Sequence, residues 1–284
     1  MATDPYAAPK SRVADLPAAV GGFIPEGRGV PTGNGWKWIV DGWRLFVRQP
    51  GVWVLVMLIL YLISALLSWI PLGGIAMGLL LFVFAAGVLL GCAELDHGRQ
   101  LELRHLFAGF GGHLGKLVLL GLLFLVAQIV LALVAAGLGA AALLGVMGGG
   151  ASDSGAIARA LTMGLLAVLV ALALLVPILM LVWFTPALVV FQDLGVVGAL
   201  KSSFAGCLKN IVPFLLYSAI LLVLSIIASL PLLLGLPRVW SMFTESPVKA
   251  GVIAALLLLP GWLALAPTLA GSVYASYRDI FYPS

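Results

Sequence analysis

The residues best equipped for chemistry gather in one short stretch. Glu94, Asp96, His97, Glu102, His105 and His113 could move protons or hold a divalent cation. Their spacing opposes the metal reading. Two ligands share a helix face when they stand three or four positions apart, as in HExxH, whereas these histidines recur every eight residues. The expectation is no metal and no cofactor, with side chains facing solvent or lipid headgroups. The run Gly109-Phe-Gly-Gly-His-Leu-Gly115 resembles a phosphate loop only superficially. No strand precedes it and no Gly-Lys-Ser/Thr follows. No Gly-x-Ser-x-Gly elbow is present. Cys92 and Cys207 lack CxxC partners, so they read as reduced thiols near the membrane surface. The chain is therefore expected to be non-enzymatic. The weakest competing reading is catalysis by Glu94, Asp96 and His97.

The elements that must position these groups are dictated by composition. Of 284 residues, 63% are hydrophobic and 9% charged, and mean hydropathy is +1.19. Soluble domains carry about 25% charged residues, so this chain cannot cover a folded surface against water. It reads as an all-α integral membrane protein. A span needs about 20 apolar residues, and six stretches qualify: 52–70, 72–92, 117–147, 160–191, 211–236 and 251–274. The tight Ile70-Pro-Leu-Gly-Gly74 turn makes the first two a hairpin. The third and fourth stretches exceed a straight span, with Gly137, Gly139, Pro177 and Pro186 as flex points. If the amino terminus is inside, twelve of the 15 Lys and Arg residues fall on the cytoplasmic side, leaving Arg159, Arg238 and Lys249 opposite. The positive-inside rule then assigns both termini to the cytoplasm. A soluble nucleic-acid binder is excluded despite the net charge of +4.

Two regions are expected: a disordered cytoplasmic tail over 1–34, rich in Pro, Gly and Ala and without an apolar h-region, and a six-span domain over 35–284 with a three-fold internal repeat. Each repeat is a short amphipathic interfacial helix followed by a helical hairpin. In the first, Lys37, Asp41, Arg44 and Arg48 share one face, and Trp36, Ile39, Val40, Trp43 and Val47 lie opposite. The second groups Leu103, Leu106, Phe107, Phe110 and Leu114. The third groups Val197, Leu200, Phe204 and Leu208, with Lys201, Ser202 and Lys209 opposite. Lys37, Arg44, Arg48, Lys116, Lys201 and Lys209 are the candidate contacts for anionic lipid headgroups. The even spans leave the membrane through Asp96, Asp193 and Asp279.

Ionisable residues inside spans mark coupled transport, and none is found in the cores of these six. Gln128 is the outstanding polar residue at depth. Together with Pro177, Pro186, Pro260 and Pro267, which interrupt the fourth and sixth spans, it marks a candidate path or cavity between repeats. Gly74 with Gly78, and Gly87 with Gly91, stand four apart and allow close helix approach, within the chain or to a second copy.

Three segments carry a family likeness: Asp41-Gly-Trp-Arg-Leu-Phe-Val-Arg-Gln-Pro-Gly51, the stretch from Gly91 to Phe110 containing Ala-Glu-Leu-Asp-His, and Ala199-Leu-Lys-Ser-Ser-Phe-Ala-Gly-Cys-Leu-Lys-Asn210. They resemble an uncharacterised family of bacterial inner-membrane proteins, itself similar to the multi-pass domain that accompanies some glycerophosphodiester phosphodiesterases. The resemblance covers about residues 36–282 and implies a bacterial inner-membrane location. The His-Arg and paired-carboxylate motifs of the phosphodiesterase are absent from this sequence, so it implies no catalysis. The leading expectation is an envelope-associated scaffold or accessory subunit that contacts anionic lipid and has a membrane-protein partner or forms a homo-oligomer. The alternative is a transporter or lipid-handling protein.

Overall fold

The computed structural model describes residues 22–149 and 154–283. Among them there is no strand. The order is α1 (Asn34–Arg48), α2 (Pro50–Ser68), α3 (Gly73–Asp96), a 3-10 helix (Leu103–Phe110), α4 (Leu114–Gly149), α5 (Ser154–Val182), α6 (Thr185–Gln192), α7 (Val196–Lys209), α8 (Ile211–Glu245) and α9 (Pro247–Phe281). Six segments are long and apolar enough to cross a membrane: Pro50–Ser68, Gly73–Asp96, Leu114–Ala141, Leu161–Gln192, Ile211–Glu245 and Pro247–Phe281.

The protein core lies at one end of the bundle, the base, where α3 and α9 finish. There α1, α6, α7 and the 3-10 helix close around the ends of the long helices, burying Trp38, Trp53, Phe184, Leu188, Ile280 and Phe281. Away from the base, the helices turn large apolar side chains outward, among them Leu133, Leu161 and Leu222. Apolar surface of that kind is stable when lipid replaces water. The long helices α4 and α5 pack along each other, as do α8 and α9.

Glycine sets how closely the pieces of the base approach. A Cβ on Gly35 would lie 2.4 Å from the Pro213 carbonyl oxygen, and one on Gly42 would lie 2.3 Å from that of Thr268. These two glycines, two turns apart, let α1 cross α8 and α9 in backbone contact. The face that α1 buries carries Trp38, Ile39, Leu45 and Phe46. Trp36, Trp43 and Val47 of the expected apolar face are exposed, so α1 has protein-facing, outward apolar and charged stripes.

Several expectations are corrected here. Disorder was expected over 1–34, yet residues 22–33 form an ordered strap along the end of α9, held by backbone hydrogen bonds from Ile24 N–H to the Phe281 carbonyl (2.9 Å) and from Arg28 N–H to that of Ile280 (2.8 Å). Residues 1–21 lie outside the described residues. The second amphipathic segment is a 3-10 helix. It sits against α3 because Gly109 approaches the Val83 carbonyl and Gly87 approaches those of His105 and Leu106. Of the fourth stretch's flex points, the helix breaks only at Trp183 and Phe184, just ahead of Pro186, which occupies the first turn of α6. Pro177 lies inside the continuous α5, and Gly137 and Gly139 inside α4. A Cβ added at Gly74 or Gly78 would meet no other part of the protein within 4 Å, whereas Gly87 and Gly91 receive the 3-10 segment and the residues before it.

Candidate functional site

The base concentrates polar chemistry, and three carboxylates, Asp96, Asp193 and Asp279, act there as clamps. Asp279 is the most heavily used. Its Oδ1 accepts from Arg28 Nη2 at 3.1 Å, and its Oδ2 from Asn34 Nδ2 at 2.7 Å and Trp38 Nε1 at 2.8 Å. Asp96 accepts from Arg278 and, at 3.3 Å, from the Tyr274 hydroxyl, joining α3 to α9. Asp193 ends α6 in a left-handed conformation (φ 53°) and binds Lys116 Nζ at 2.6 Å. The ammonium group holds the Asp193 carboxyl below its usual range, with a smaller contribution from His113.

The proposed acid–base residues are also engaged. Glu94 binds Arg99 in two hydrogen bonds. His97 Nδ1 lies 2.6 Å from the Ala93 carbonyl oxygen. His105 Nδ1 accepts the Glu102 N–H at 2.9 Å, and burial lowers its pKa from 6.5, favouring the neutral ring that this bond needs. Among the described residues no three His, Cys, Asp or Glu side chains gather as they would around a metal ion. Cys92 and Cys207 are free thiols buried within the protein, and burial pushes the Cys207 thiol up to about 12.

The six expected headgroup bases divide. Arg48 donates to the Leu95 carbonyl, Lys116 binds Asp193, and Lys209 reaches the Gly27 carbonyl at 3.1 Å and Glu26 at 3.4 Å. Arg44 pairs with Asp41 one turn away while 68% of its side chain stays exposed. Lys37 and Lys201 are exposed, with no protein partner among the described residues.

Between the outward face of α1 and the pair α8–α9 lies a half-open groove of about 540 Å³. Trp36, Ile39, Val40 and Trp43 form its α1 wall, and Leu224, Pro231, Gly261 and Leu265 are among the residues of the other walls. Its lining is almost wholly apolar. Thr268 is the one hydroxyl, and it donates to the Ala264 carbonyl of its own helix. Lys37, Asp41 and Arg44 occupy the neighbouring stripe of α1, one residue further round. The groove includes none of Gln128, Pro177, Pro186, Pro260 or Pro267, although Gly261 and Thr268 follow the last two directly. Gln128 stands elsewhere, exposed on α4.

Residues with little sequence signal hold the base together. Asn210 is fully buried, accepts the Val30 N–H and donates to the Arg28 and Gly206 carbonyls. Ser203 accepts the Phe184 N–H at 3.0 Å and donates to the Met180 carbonyl at 2.7 Å. Those are the two groups that an unbroken helix would have joined directly. Gln192 donates to the Tyr277 hydroxyl. Buried polar atoms must find partners, but sequence alone does not say which serines and asparagines will be buried.

A packed polar base and long apolar helices, with no strand among the described residues, define a multi-pass integral membrane protein. It is 30% identical over 254 residues to a Burkholderia thailandensis protein named "Probable inner membrane protein", a match that covers 87% of this chain and 91% of the relative. The chain belongs to the family of that inner-membrane protein. No family model matches it, and no solved structure does.

Proposed function

We propose that the protein is a non-enzymatic scaffold or accessory subunit of the bacterial inner membrane that holds an anionic phospholipid at its cytoplasmic face. The groove beside α1 carries this reading. Its volume suits a small ligand, its walls suit an acyl chain, and Trp36 and Trp43 suit the interfacial depth at which tryptophans settle. Lys37 and Arg44 flank it with positive charge for a phosphate. In this reading α1 and α7 are interfacial helices, the hairpins descend from them, and both termini are cytoplasmic. The likeness to the multi-pass domain beside glycerophosphodiester phosphodiesterases belongs to the same proposal and brings no catalytic role.

Extraction into native-lipid discs followed by lipid mass spectrometry tests it. The expected result is enrichment of one anionic phospholipid over the bulk membrane, reduced by Lys37→Glu with Arg44→Glu and by Ile227→Trp, which fills the groove. A lipid profile equal to bulk, or one indifferent to all three substitutions, would overturn it. Lipid handling is the second reading, favoured by the groove being half open rather than enclosed. Faster exchange of the bound lipid with free vesicles in the wild type than in Ile227→Trp would support it.

A further inference from the structure

We infer that α4 is the interface of a homodimer, in which Gln128 pairs with its counterpart on a second copy. Gln128 is exposed, and no group among the described residues hydrogen-bonds to it. It lies deep. At about 1.5 Å per residue it is about 18 Å along α4 from Lys116 and about 20 Å from Ala141, the far end of the apolar segment. That places it near the middle of a hydrocarbon layer about 30 Å thick, where water is not available to an amide.

The packing explains why this residue is bare. The face of α4 that carries Leu117, Leu120, Gly121 and Phe124 is covered by α3. A Cβ on Gly121 would lie 2.4 Å from the Leu79 carbonyl oxygen, and the Phe82 and Phe124 rings are 5.4 Å apart. The two helices run in opposite directions, and α3 begins at Gly73, about 9 Å beyond Leu79. Gln128, about 10 Å past Gly121 on the same face, is therefore where α3 runs out. Beyond it the stripe continues as Ala132, Ala135 and Gly139, all exposed. Small residues let two helices come close.

The amide identifies the occupant. A carboxamide donates and accepts at once, so two copies related by a two-fold axis along the membrane normal put identical amides at one depth, each satisfying the other. Such an isologous contact closes at two subunits.

Oxidative crosslinking in isolated membranes tests the interface. The native thiols are buried, so Ala132→Cys is expected to give a dimer and Val130→Cys, on the opposite side of α4, none. In native-lipid discs, Gln128→Leu is expected to weaken dimerisation roughly three- to tenfold, and Gln128→Asn much less. The leucine variant remains apolar toward lipid, and an unchanged unfolding temperature would show it folded. A monomeric wild type, an Ala132→Cys that crosslinks only to a different protein, or a dimer indifferent to Gln128→Leu would each overturn the inference.

Discussion

Gly42 of α1 and Gly271 of α9 meet backbone to backbone: a Cβ placed on Gly271 would stand 2.8 Å from the Gly42 Cα. Neither position has room for a methyl group, since on the other side a Gly42 Cβ would lie 2.6 Å from the Ser272 nitrogen. Gly42→Ala is expected to lower stability by about 1–3 kcal/mol through overpacking. Gly51→Ala, whose added methyl touches nothing within 4 Å, should leave stability unchanged or slightly raised. Thermal unfolding of the two variants in lipid discs checks the contrast.

Asp279 fastens the amino-terminal strap to the last helix. Asp279→Ala removes the carboxylate that accepts from Arg28 Nη2, Asn34 and Trp38 together, while Arg28 Nε keeps its bond to the residue's backbone carbonyl. The Trp38 side chain is buried, so its indole N–H would lose its partner in a dry site, at a cost of about 1–3 kcal/mol. Residues 22–33 should then exchange amide hydrogens faster and become accessible to protease. Unchanged exchange across the strap would show that its remaining bonds, the backbone pairs with Ile280 and Phe281 and those from Asn210 and Lys209, hold it without the carboxylate.

Ser203 completes the hydrogen bonding of a broken helix from a neighbouring one. Ser203→Ala strands the Phe184 N–H and the Met180 carbonyl, and is expected to cost about 1–3 kcal/mol. The alternative is that α5 and α6 fuse into one straight helix. Hydrogen exchange at Phe184 distinguishes the two, rising in the first case and falling in the second.

His105 links the 3-10 segment to pH. Its folded pKa is depressed from 6.5, chiefly by burial, so the unfolded chain takes up a proton first as pH falls. Stability from this group is complete above about 6.5 and declines as pH drops below it. Protonation also removes the acceptor for the Glu102 N–H. The protection of the amides over 103–110, taken relative to their intrinsic exchange rates, should therefore fall below about pH 6.5, and His105→Asn should flatten that dependence.

What composition and hydrophobic runs could determine, they determined: helices throughout, six apolar segments and membrane insertion. Those properties depend on how many apolar residues lie consecutively, which is local. The charged residues show where that locality ends. Lys116, Arg48 and Lys209 have the spacing of headgroup contacts, yet each is engaged by a protein oxygen brought from another element. Residues 22–33 have the composition of a tail, but fold as a strap because Asp279 and Asn210 offer them partners over two hundred residues away in one case and nearly as far in the other. Gln128 was legible as a polar residue at depth. Only the tertiary structure showed that α3 stops beside it, because which face of a helix is covered depends on where its neighbour begins, and no single helix encodes that.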